Sequence, residues 1–153
     1  MIATALTVDG RPALRLERRF GHSIERVWRA VTEPDELARW FVAEVPWTPV
    51  ADEEFEAGGA AGHITEFEPP RLIAWTWDVE AYRFELASED DGCVLVFTHV
   101  FNPEYGPDWQ HAVGWEMYLD RLEAHLSGGF LSEEDAHRRG DELRQRYRAS
   151  FSA

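Results

Sequence analysis

The chain has 153 residues, in which 29 acidic side chains face 15 basic ones, all arginine, for a net charge of −14. That balance excludes nonspecific nucleic-acid binding, which rests on basic clusters, and disfavours anionic membrane surfaces. The single cysteine, Cys93, has no internal disulfide partner, which fits a reducing cytoplasm.

The first residues, MIATALTVDGR, lack the basic region and long apolar run of a secretory signal. Asp9-Gly10 marks a turn that leaves room for a short extra strand over 3–8 before it. In ALRLERRF (13–20), Leu14, Leu16 and Phe20 alternate with Arg15, Glu17 and Arg19, as in a half-buried strand interrupted by Arg18. Ser23 then caps a helix whose Ile24, Val27, Trp28 and Val31 share one face. Thr32 and Pro34 break it and start a second, shorter helix with Leu37, Trp40 and Phe41 on its apolar side.

From residue 52 the period changes to two. Strands are expected at 53–57, 62–68, 71–78, 82–88 and 93–101, and their short links imply an antiparallel meander. A long helix follows over 108–127, with Ala112, Trp115, Leu119, Leu122 and Leu126 on one stripe and Gly128-Gly129 at its end. Ser132 before three carboxylates starts a last helix over 133–149. It is expected to be mostly exposed, with Leu143 and Tyr147 as its few apolar contacts. No run of about 18 apolar residues reads as a membrane span.

The order is strand, two short helices, a meander of about five strands, and a long C-terminal helix, with about six strands in one sheet. It resembles the α+β helix-grip fold of the START/Bet v 1-like (SRPBCC) superfamily. Within it, RRFGHSIERVWRAVTEPDELARWF, PPRLIAWTW and HAVGWEMYLDRLEAHLSGG resemble the family named for the activator of the heat-shock protein 90 ATPase, in its stand-alone bacterial type. The resemblance implies a helix-grip domain over 1–129, with 130–153 as a helical extension. It also implies a curved sheet that wraps the long helix and leaves a cavity between them.

The candidate site residues follow from faces and composition. Trp75 and Trp77 point the same way from one strand, and Phe84, Phe97 and Trp115 come from elements that meet across the sheet–helix space. Large rings with few polar groups are the usual lining of a small-molecule site, and the same rings could instead fill the space and leave the cavity small. Trp40 and Leu119 complete the apolar wall. His99 shares the face of Leu95 and Phe97 and is the leading polar contact, with His111 near the same end of the helix. Glu66, on the alternation with Ile64, and Glu116 are further candidates if their faces turn inward, but a solvated face or rim is the favoured reading for both. The six histidines and one cysteine show no metal-ligand spacing, so neither metal nor cofactor is expected.

Three readings follow. The first is a binder of a hydrophobic or aromatic small molecule. The second is a cyclase-, aromatase- or hydrolase-like enzyme on a polyketide-like substrate, with His99 as acid and base. The third is a cochaperone-like or regulatory interaction module using the acidic surface and the last helix. A homodimer through Val94, Val96 and Val100 on the outer sheet face is a further expectation.

Overall fold

A computed structural model describes residues 3–151. The strands are β1 (Thr4–Val8), β2 (Arg11–Phe20), β3 (Glu54–Ala57), β4 (Ala60–Glu68), β5 (Leu72–Trp77), β6 (Glu80–Glu89) and β7 (Gly92–Val100). They form one antiparallel sheet in the order β1-β2-β7-β6-β5-β4-β3. The count is seven, one more than expected, because the uncharged segment TALTV joins the sheet as an edge strand beside β2. The helices are α1 (Ile24–Thr32), α2 (Pro34–Trp40), α3 (Asp108–Leu126), α4 (Glu133–Ala136) and α5 (Gly140–Phe151). This is the helix-grip arrangement, with α3 held against the concave face of the sheet.

Local chemistry sets the boundaries. Ser23 Oγ accepts from the Arg26 amide at the start of α1, and Pro34 occupies the first turn of α2. The last turn of α1 has carbonyls without helical partners. Two indoles satisfy them: Trp40 Nε1 donates to the Ala30 carbonyl at 2.8 Å, and Trp47 Nε1 to that of Thr32 at 2.7 Å. Gly128, at φ 86°, supplies the left-handed residue that ends α3, and the Gly129 amide closes the cap on the Ala124 carbonyl.

Strand alternation aims the side chains. On β6, Tyr82, Phe84 and Leu86 are buried; on β7, Cys93, Leu95, Phe97 and His99 are. On β2 the even positions face inward, so Arg18 shares a face with Leu14, Leu16 and Phe20. It meets acids on α3 there, bonding Glu116 at 2.9 Å and Asp120 at 3.0 Å. On the outer face Val96 lies between Glu17 and Glu85, and Val94 next to Arg19. Val100 is already buried.

Two expectations about placement are refined. Glu66 is on the solvated face expected of it and does not share the face of Ile64. The register of β4 against β5 shifts between them, so Phe67 takes the inward position and packs on Trp28, while Glu66 pairs with Arg83 outside. The C-terminal segment is mostly exposed, as expected, but it is not one helix. It breaks into α4, a 3-10 turn (His137–Arg139) and α5, and buries Ala136, Leu143 and Tyr147. The Tyr147 hydroxyl accepts from the Ala3 amide at 2.9 Å and donates to Glu116 Oε2 at 3.1 Å.

Candidate functional site

The register of the sheet builds the centre of the site. Trp75 lies opposite Tyr82, and Tyr82 opposite His99, on three neighbouring strands. Their rings stack in a row: Trp75 and Tyr82 are 4.4 Å apart, Tyr82 and His99 4.6 Å, with interplanar angles of 24° and 9°. Beyond His99, His111 from the first turn of α3 presents its ring at 5.5 Å and stacks on Phe101 at 4.3 Å. Phe41, Phe97 and Trp115 close over the row, with Phe97 and Trp115 4.6 Å apart.

All nine expected residues can be placed. Trp75, Phe84, Phe97, His99, Trp115 and Leu119 are buried between sheet and α3. Trp40 is fully buried and meets Phe84 edge to face at 6.4 Å. Trp77 is half-buried beside Trp75, its indole donating to the Ala57 carbonyl at 2.9 Å. His111 is half-buried at the opposite end of the row. The rings contact one another directly. Surface clefts are lined by other residues: one of about 620 Å³ by Pro34, Ala38, Val45 and Glu56, another of about 230 Å³ by Trp109, Met117, His137 and Arg144.

The polar end is organised around His99. Trp115 Nε1 donates to His99 Nδ1 at 2.8 Å, and His99 Nε2 bonds the Glu80 carboxylate. An indole N–H is a donor only, so Nδ1 carries a lone pair and the proton sits on Nε2. Both nitrogens are engaged, and neither is open for the proton transfer an acid–base role requires. Tyr82 also donates its hydroxyl to Glu80, at 3.2 Å. Burial raises the Glu80 carboxyl, but the hydrogen bonds from His99 and Tyr82 outweigh it and hold the group below the usual range. Burial, with the His99 ring next to it, pushes His111 below its ordinary value against the pull of Glu80, the Gly106 carbonyl and Asp108.

Glu116 is buried on another side of α3, committed to Arg18 and Tyr147. Glu80 and Tyr82 belong to the site and were not among the expected residues. Period-two alternation extended back from Phe84 reaches both, but Glu80 reads in the sequence as part of an acidic turn. Among the described residues no three His, Cys, Asp or Glu side chains converge to hold a metal ion. No described helix is long and apolar enough to cross a membrane.

Comparison with known proteins fits this geometry. A family model described as "Activator of Hsp90 ATPase homolog 1-like protein" matches residues 21–127. No curated protein matches the chain. The crystal structure of CalU16 from Micromonospora echinospora is 26% identical, covers 96% of this chain and 94% of its own, and superposes with a TM-score of 0.77. EF2215 from Enterococcus faecalis, described as a conserved protein of unknown function, is 19% identical over 98% of this chain and 90% of its own, with a TM-score of 0.76. MLL2253 from Mesorhizobium loti is 23% identical over 78% of this chain and 99% of its own, with a TM-score of 0.67. The first two overlaps are long enough to take in the helices after Gly129.

Proposed function

The chain belongs to the Activator of Hsp90 ATPase homolog 1-like family, and from that premise we propose that it binds a hydrophobic or aromatic small molecule between the concave face of the sheet and α3. The observation that carries this reading is the ring row Trp75–Tyr82–His99, stacked at 4.4 and 4.6 Å and covered by Phe41, Phe97 and Trp115. Its walls are side-chain rings, which can part by rotation while the strands keep their hydrogen bonds. A planar apolar guest would replace ring–ring contacts with contacts of the same kind. Trp77 and His111, half-buried at the two ends, mark where the row approaches solvent. In this reading residues 1–129 form the binding unit and 130–153 brace the far side of α3. Cytoplasmic residence accords with the buried, unpaired Cys93, whose thiol is pushed up to about 11 by burial and by Glu89.

The test is a titration of ¹⁵N-labelled protein with naphthalene-type and fatty-acid probes, read at the tryptophan indole signals. Saturable shifts of Trp75 and Trp115, with Trp109 unmoved, are expected. If no indole moves, or only Trp109 does, the interior is not a binding site.

A further inference from the structure

The buried indoles of this fold are satisfied, with one exception. Trp40, Trp47 and Trp77 donate to the carbonyls of Ala30, Thr32 and Ala57, and Trp115 donates to His99. Trp75, only 1% exposed, has no acceptor for its Nε1. Among the described residues one other buried side-chain polar atom lacks a partner, Nε2 of His111. A buried polar atom without a partner loses its water and gains nothing in return, and native interiors hold few of them. These two flank the same ring row. Trp75 stands at one end, and His111 abuts His99 at the other.

Their chemistry differs. The Trp75 indole can only donate. His111 Nε2 makes no hydrogen bond, and a neutral imidazole nitrogen there accepts or donates according to its tautomer. Trp75 and His99 lie two strands apart, a span of about 10 Å, so a molecule reaching both ends is longer than a single benzene ring.

Resting on the binding reading above, we propose that Trp75 Nε1 and His111 Nε2 are the two polar anchors of the ligand. The ligand is then an extended aromatic molecule with a carbonyl-type acceptor at the Trp75 end and, at the His111 end, a hydroxyl, which can meet an imidazole nitrogen in either tautomer. His99, with both nitrogens occupied, is a wall of the site and not its polar contact.

The experiment is calorimetric titration of the full chain with four probes: 6-hydroxy-2-acetylnaphthalene, its 6-methoxy ether, 2-naphthol and naphthalene. The hydroxy ketone binds tightest, and loss of either polar group weakens binding by about fivefold, the scale of one net hydrogen bond. His111→Phe erases the preference for hydroxyl over methoxy and keeps the preference for the ketone. Trp75→Phe does the reverse. His111→Gln, whose amide can accept or donate, retains the hydroxyl preference and guards against a folding defect in the phenylalanine variant. Equal binding of all four probes to the wild type overturns the anchors and leaves the aromatic site standing. Absence of binding by any of them overturns both.

Discussion

Trp115 donates its indole N–H to Nδ1 of His99 across 2.8 Å in the buried space between α3 and β7. This bond leaves Nε2 as the position for the imidazole proton, and the bond from Nε2 to the Glu80 carboxylate asks for the same tautomer. Trp115→Phe keeps most of the ring packing and removes the donor. The stranded acceptor is expected to cost about 1–3 kcal/mol, read as a lower urea midpoint. The tautomer should respond as well. Imidazole ¹⁵N spectra of the wild type should show His99 as a single Nε2–H form, and the variant a mixture. An unchanged spectrum would mean that Glu80 alone sets the tautomer.

Stability should fall on acidification in two stages. His111 is held below its ordinary 6.5 in the fold, so the unfolded chain binds the proton first, and stability is lost as pH drops from 6.5 through the lowered folded value. Glu80 and Glu36 are held below 4.5. For Glu36, burial pushes upward, and the hydrogen bonds from Arg26 and His125 win. Their contributions are complete above 4.5 and disappear as pH falls further. Thermal midpoints across pH 3–8 should therefore decline twice. His111→Phe should remove the upper decline and spare the lower.

The C-terminal helices are part of the packed structure, and their loss should show it. Tyr147 is fully buried, and its hydroxyl ties the Ala3 amide to Glu116, which also holds Arg18. Burial pushes this phenol up to about 12. Tyr147→Phe strands the Ala3 amide and is expected to cost about 1–3 kcal/mol. Ending the chain at Gly129 also removes Leu143 and uncovers one side of α3, so it should lower the urea midpoint further than the point variant. Equal midpoints for the truncated and full chains would mean that the C-terminal helices add nothing to the stability of the core.

What the sequence discloses and what it hides divide along physical lines. Period-two alternation is local, so the inward faces of β6 and β7, and with them Phe84, Phe97 and His99, are legible residue by residue. Glu66 is solvated as expected, but the face it would share with Ile64 is misread, because a single register shift in β4 inverts the alternation and no residue type there announces it. Glu80 is hidden by composition: Asp78-Val79-Glu80 looks like a charged turn, whereas Glu80 already pairs with Trp77 in the ladder. Arg18 looks like an interruption of the strand because its justification, the acids on α3, lies 98 and 102 residues away. The same distance hides Tyr147. The i, i+4 pair with Leu143 signals an apolar stripe, but its depth depends on Ala3 and Glu116. The saturation of His99 by Trp115 and Glu80 is a matter of three elements meeting, which no spacing records.

Two glycines should respond to the same substitution with opposite sign. A Cβ on Gly92, at the start of β7, would run into the carbonyl oxygen of Phe20 and lie 3.1 Å from Gly21 Cα. Both are backbone atoms at the end of the adjacent β2, and they cannot rotate aside. Gly92→Ala must push β7 away from β2 where Cys93 pairs with Phe20, at an expected cost of about 1–3 kcal/mol. Gly114 lies within α3, and nothing stands within 4 Å of a Cβ built there. Gly114→Ala removes backbone freedom from the unfolded chain without a clash, and should add about 0.5–1 kcal/mol. Urea midpoints with unchanged slopes are the measurement. If Gly92→Ala is neutral, the β2–β7 junction is looser than its close backbone approach implies. If Gly114→Ala destabilises, the open space beside α3 is occupied in solution.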